Sequence, residues 1–187
     1  MSFVFLVIGC STVWLNPLDT DSAVARPPED QDEWGDAPNS DCNGGFYGYY
    51  ANLENTHPDV NPEPNTPQQD NPLLLDWWNE EKIVFNRYDP SLDFGENWWP
   101  IDEGFADDPK YFAVRWTGWI YVFEDDTYTF QIGASDDFWF IINDTIVYQQ
   151  PGIHEFEPKS VDIQINQGLY PVDIRYAHRS ENSGLRF

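Results

Sequence analysis

Two adjacent carboxylates, Asp136 and Asp137, stand between apolar runs in the segment Gly133-Ala-Ser-Asp-Asp-Phe-Trp-Phe-Ile-Ile-Asn143. Carboxylates side by side in a turn call for a counter-charge, and this 187-residue chain has few cations to offer. It carries 9 Lys and Arg against 33 Asp and Glu, a net charge of −24. One chemistry that fits is a hard cation such as Ca²⁺, which takes roughly 6–8 oxygen ligands. The other reading is an acidic hairpin turn that is simply solvated, since adjacent Asp pairs are common in so acidic a chain. The two residues by themselves leave both open.

Catalytic chemistry finds little support elsewhere. There is no Gly-x-Ser-x-Gly and no His-Glu-x-x-His, and His57, His154 and His178 lack zinc-ligand spacing. Paired carboxylates serve glycoside hydrolysis, but among 33 acids such pairs arise by chance. No catalytic residue is therefore assigned. His154, after Pro151-Gly-Ile, reads as a loop hydrogen-bonder. Trp98-Trp99 beside Pro100 is an exposed pair in a loop, and it, Trp77-Trp78 or Trp139 could stack on a pyranose ring. Trp116 and Trp139 read as core. Asn143-Asp-Thr145 is a formal N-glycosylation triplet, without meaning in a bacterial source.

The charge balance excludes nucleic acid, because phosphate contacts need clustered Lys or Arg. It also argues against direct binding of anionic lipid headgroups. Such a surface suits an extracellular, divalent-rich or saline setting, although high solubility alone would account for it.

The elements that must position these residues are strands. Tyr128, Phe130 and Ile132 share one face of a strand before the Asp pair, and Asn143-Asp144 makes a turn after it. Val114, Trp116, Gly118, Ile120 and Val122 form one face of a long strand. Val161, Ile163 and Ile165 form another, and Val172, Ile174 and Tyr176 a third. Short strands separated by turn signals indicate an all-β antiparallel sandwich, and 13 Phe, 10 Tyr and 9 Trp supply its core. Gly44 to Tyr50 begins the first strand. Asn55 to Pro72, dense in proline, reads as a surface insertion loop. Leu73 to Trp78 fits a short strand or a helical turn equally well. No helical stripe exceeds two turns.

The N-terminal region divides differently. Residues 1–10 form an apolar leader ending at Gly9-Cys10, which resembles a bacterial lipobox with Cys10 as the acylated residue. The run is too short to span a bilayer and lacks a cationic start. Another secretory leader, a cytosolic chain, or a Cys10–Cys42 bridge are the alternatives. Residues 11–43 read as a flexible, acidic, proline-containing tether, and 44–187 as the folded domain.

Tyr111-Phe-Ala-Val-Arg-Trp-Thr-Gly118, Asp126-Thr-Tyr-Thr-Phe130, Ser135-Asp-Asp137 and the following hairpin, in that order, resemble the PA-fourteen domain of anthrax protective antigen and yeast flocculins. Asp89-Pro-Ser-Leu-Asp-Phe94 is similar to a further segment of the family. Asp136 to Asn143, Pro151-Gly-Ile-His154 and Ile174-Arg-Tyr-Ala-His-Arg179 resemble its fibro-slime branch. Asp125-Asp126 and Asp144 depart from the family's usual glycine turns. The resemblance implies a jelly-roll-type β-sandwich with long loops. It also implies a Ca²⁺ held by Asp136 and Asp137 across a cis peptide, with Glu181 and Asn182 of the last loop as further ligands. A cation so held, with Trp98, Trp99 and His154 nearby, would bind carbohydrate or a cell-surface glycan.

The resulting expectation is an extracytoplasmic, non-enzymatic lectin-like module. It is a cell-surface or outer-membrane lipoprotein touching membrane only through its lipid anchor, or else secreted. A non-lectin structural or adhesive module is the alternative, as is the non-catalytic accessory domain of an exported enzyme. The chain stops directly after the last strand the resemblance requires, which fits a longer parent protein.

Overall fold

Alternation of side chains along each strand decides which face is buried, and here two sets of inward faces meet. The structure, a computed structural model, describes residues 44–56, 60, 71–101, 108–180 and 182–187. The leader with Cys10 and the whole tether, Cys42 included, lie outside the described residues.

The strands are β1 (Phe46–Asn52), β2 (Ile83–Asp89), β3 (Gly95–Glu96), β4 (Phe112–Val122), β5 (Asp126–Ala134), β6 (Asp137–Ile142), β7 (Thr145–Gln150), β8 (Glu157–Ile165), β9 (Gly168–His178) and β10 (Gly184–Arg186). They form a six-stranded sheet in the order β2-β1-β4-β9-β6-β7 and a four-stranded sheet in the order β3-β10-β5-β8. All pairings between them are antiparallel. The expected all-β antiparallel sandwich is the fold. Helical structure among the described residues is limited to 3₁₀ turns at Pro72–Leu74 and Glu80–Lys82.

Val114, Trp116, Ile120 and Val122 of β4, Ile132 of β5, Phe138 and Phe140 of β6, and Ile174 and Tyr176 of β9 fill the space between the sheets. Trp116 is fully buried, as read from its place in the β4 alternation.

The six-stranded sheet is covered on its other face as well. Ala51, Ala113, Trp139, Ile141 and Ala177 point outward from it and pack with Leu53, Val60 and Trp77. Trp139 is thus buried, but in this second layer rather than between the sheets. Coverage on both faces explains why β6 is apolar at consecutive positions after Asp137, as fully buried strands are.

Asn55 to Pro72, read as a surface insertion, is described only at residues 55, 56, 60, 71 and 72, of which Thr56 and Asn71 are exposed. Val60 and Pro72 are buried. Apolar side chains in a proline-rich segment find cover here because the outer face of the sheet is itself apolar. The Leu73–Trp78 ambiguity resolves into the 3₁₀ turn, started by Asn71, whose side chain accepts from Leu73 N. Leu73 and Leu74 are left exposed while Trp77 turns inward.

Asp89, at the end of β2, anchors the opposite region of the core. Its buried carboxylate accepts from Trp116 Nε1 at 2.8 Å, Arg87 Nε at 2.6 Å and the Tyr50 hydroxyl. Gly48 leaves room for this contact. A Cβ there would lie 2.8 Å from Trp116 Nε1 and 2.9 Å from the Asp89 carboxylate.

Candidate functional site

Four loops meet at one end of the sandwich: residues 97–101, the β5–β6 turn at Ser135-Asp136, residues 151–156, and the β9–β10 connection at 179–183. Backbone hydrogen bonds tie them together. Ser135 N donates to Gly184 O (2.9 Å), Asp136 N to His154 O (3.1 Å), and Asn97 N to Ser183 O (2.7 Å). Ser183 Oγ donates to Trp98 O.

Asp136 and Asp137 lie at the centre, and the side chains of both are fully buried. Asp136 adopts φ 68°, in the left-handed region that Asp tolerates better than most residues. The peptides of the described residues are all trans, the Asp136–Asp137 bond included. The resemblance implies a cis bond there, and the positive φ at Asp136 accompanies the turn into β6. Both carboxylates still converge, but they converge on a residue of the chain.

That residue is Arg179. Its backbone N donates to Asp136 Oδ2 at 2.7 Å, and its Nε donates to Asp137 Oδ2 at 2.6 Å. The remaining oxygens are also engaged. Asp136 Oδ1 accepts from Ser180 Oγ (3.0 Å) and His154 N (3.2 Å), and Asp137 Oδ1 accepts from Gly152 N (2.6 Å). His178 Nδ1 lies 3.1 Å from Asp136 Oδ2, an ion pair when that ring is protonated. Burial pushes the Asp137 carboxyl above its ordinary value, and the Arg179 charge and the Gly152 N–H pull it back.

Arg179 is itself built into the interior. Its side chain is fully buried, its Nη1 donates to Val60 O at 3.4 Å, and its Cζ lies 5.2 Å from the centre of the Trp77 ring. A cation over an indole face is attracted by the ring quadrupole.

This donor set does not fit Ca²⁺. All four carboxylate oxygens already accept from protein donors, and a guanidinium stands where a cation would have to approach. Two unit charges 4 Å apart repel by about 4 kcal/mol at an effective dielectric of 20, and a divalent ion doubles that. Among the described residues no group of three or more His, Cys, Asp and Glu could hold a metal ion. Asn182 is exposed, and Glu181 lies outside the described residues.

The other sequence candidates separate. His154 takes part through its backbone, which brackets Asp136, while its ring faces Glu155 O and Gln150 O. Trp98 stacks on Phe94 at 4.0 Å and joins the main core, whereas Trp99 is 38% exposed. Trp99 packs edge-on against His178, with ring centres 5.1 Å apart. It is therefore the tryptophan that flanks the Asp136 cluster and remains open to solvent. Trp77 is buried and Trp78 half-buried, the latter under Arg175 at 5.1 Å.

The sequence profile of the PA14 domain matches residues 63–186. The chain belongs to the PA14 domain family. No curated protein sequence matches it. Among solved structures it is similar to the PA14 domain of the MpAFP antifreeze protein, with 14% identity and TM-score 0.55, over 75% of this chain and 78% of that one. It is similar to the PA14 sugar-binding domain of an RTX adhesin, with 13% identity and TM-score 0.54, over 75% and 86%. The A domain of epithelial adhesin 9 from Candida glabrata, solved in complex with Galb1-4GlcNAc, matches at 12% identity and TM-score 0.52, over 75% and 78%. The chain spans only 15% of the length of a Kluyveromyces marxianus β-glucosidase and 40% of an anti-sigma factor domain-containing protein that it also matches.

The PA14 profile begins after β1, yet β1 pairs between β2 and β4, so the sandwich includes residues upstream of the matched segment. Sequence reading missed Arg179 as the partner of the Asp pair. A signal existed: with so few cations in the chain, one directly after a strand that ends in Ala177-His178 was conspicuous. The backbone donors of Gly152 and His154 left no such signal.

Proposed function

We propose that this PA14 domain is a carbohydrate-binding module of adhesin type, acting outside the cytoplasm. It takes glycan at the loop end of the sandwich, around Trp99. The observation that carries this reading is an exposed indole held edge-on by a fully buried histidine beside the Asp136 cluster. An aromatic face with a fixed orientation offers a large apolar platform for a sugar ring. Ser180, half-exposed, and Asn182, exposed, supply polar groups on the neighbouring loop. The names of similar domains, a sugar-binding domain of an RTX adhesin and an adhesin solved with Galb1-4GlcNAc, support the same class of ligand.

The site is open and loop-built, so affinity for one sugar is low and useful binding comes from many copies on a surface. Cell-surface display through an acylated Cys10, or secretion, completes the reading, as does placement in the fibro-slime branch. A glycan array with the wild-type chain and with Trp99→Ala tests it. Glycan hits that disappear in the variant support the proposal, and an array without hits removes it.

A second reading has its own support. The chain matches short parts of much longer proteins, among them a β-glucosidase of which it spans 16%. An accessory, non-catalytic domain of an exported enzyme would show that relation. Mass spectrometry of the native protein for its length separates the two.

A further inference from the structure

We infer that the guanidinium of Arg179 fills the counter-charge role of a divalent cation at Asp136–Asp137, so that the loop cluster assembles without metal. The inference concerns the architecture of the proposed binding end. It stands or falls by cation response, whereas the sugar reading stands or falls by glycan binding.

Three observations carry it. First, the two carboxylates converge on one cationic residue, which engages Asp136 through its backbone N and Asp137 through its Nε. A metal ion would draw the same two groups together. Second, the buried guanidinium is engaged by the Asp137 carboxylate, by Val60 O and by the face of Trp77, while its Nη2 is buried without a hydrogen-bond partner among the described residues. Trp77 and Val60 belong to the segment between β1 and β2, so this cation also fastens the outer cover to the sheet. Third, the oxygens a metal would need are engaged by Ser180, His154, Gly152 and Arg179, all within the fold. His178, also fully buried, adds a further ionisable group on the Asp136 side.

A consequence follows for the chain without this arginine. Removing the guanidinium leaves two buried carboxylates close together and a space beside them. That arrangement suits a hard divalent ion with oxygen ligands. Arg179→Gln therefore converts a metal-independent site into a Ca²⁺-responsive one.

The test is thermal unfolding of the full chain in excess Ca²⁺ and in chelator, for wild type, Arg179→Gln, and Arg179→Gln combined with Asp137→Asn. Wild type is expected to melt at the same temperature in both conditions. Arg179→Gln is expected to melt lower in chelator and to recover by several degrees in Ca²⁺, and the added Asp137→Asn to cancel that recovery. If Arg179→Gln does not fold in chelator, its refolding on addition of Ca²⁺ is the equivalent readout. A Ca²⁺-dependent rise in wild type that Asp136→Asn abolishes would overturn the inference. So would an Arg179→Gln protein that shows no response to metal. Independently of any arginine variant, tryptophan-sensitised terbium emission from wild type that Asp137→Asn abolishes would also overturn it.

Discussion

Arg179 and Asp137 lie 42 residues apart in sequence and 2.6 Å apart in space. β6 and β9 are neighbours, with Asp137 opposite Ala177, so the arginine two residues further on reaches back over the end of β6. The pair is dry, and its energetics follow from that. Breaking a buried pair by removing one partner is costly because the other charge is left without compensation.

Asp137→Ala should accordingly destabilise the domain by about 3–5 kcal/mol. Replacing both members, Asp137→Ala with Arg179→Met, should cost less than the sum of the single changes. Urea unfolding of the four proteins, read as a double-mutant cycle, checks this. Additive effects would mean that the two side chains do not interact across the site.

Trp99→Ala should cost less stability than a core truncation, about 1–2 kcal/mol, since the side chain is 38% exposed but packs against Phe112 and His178. Glycan binding should be lost. Trp98→Ala should do the reverse. Trp98 is half-buried but stacks on Phe94 and Trp116 against the core, so its truncation should approach the roughly 3–5 kcal/mol of a buried aromatic. Paired melting and binding curves distinguish these outcomes.

The buried phenols set the alkaline limit. Burial raises the hydroxyls of Tyr50 and Tyr176 above the ordinary phenol value of 10.0. The negative Asp89 carboxylate raises Tyr50 further. In the unfolded chain both ionise near their ordinary value, while the folded chain keeps them neutral. The unfolded state then binds fewer protons, so stability falls as pH rises above 10.0 and continues falling towards the folded values. Below that pH this contribution is fully present. Unfolding on alkaline titration should coincide with a jump in tyrosinate absorbance. Tyr176→Phe should reduce the pH dependence, apart from its separate loss of the Ser135 contact.

The β6–β7 hairpin offers a gain. Asn143 and Asp144 have φ 49° and 60°, the geometry of a two-residue turn that favours Asn-Gly. Asp144→Gly removes the Cβ from a left-handed position and one charge from a very acidic surface. It should raise stability by about 1 kcal/mol, visible as a higher melting temperature.

The strands were legible because the pattern that creates them is local. Inward alternation in β4, β8 and β9 can be counted along the sequence, and each proved to face the core. The Asp pair was legible for the same reason, as two acids between apolar runs. Its partner was not, because contact between residues 137 and 179 depends on which strands become neighbours, and no local period encodes that. Trp98 and Trp99 show a smaller gap. Adjacent residues point opposite ways, so one entered the core and the other stayed exposed, and composition alone had grouped them. The outer apolar layer was hidden by prolines, which mark a segment as unfit for a ladder without saying whether it packs.

β9 lies between β4 and β6 in the six-stranded sheet. Until residues 168–178 dock, β2-β1-β4 and β6-β7 are separate fragments with open edges, and strand edges of that kind invite association with other chains. The arginine that pairs with Asp137 follows immediately after this strand. Pairing of Asp137 with its cation and closure of the sheet thus both depend on the docking of β9. A chain in which β9 has not docked would leave Asp137 without its cation and its sheet edges unsealed together.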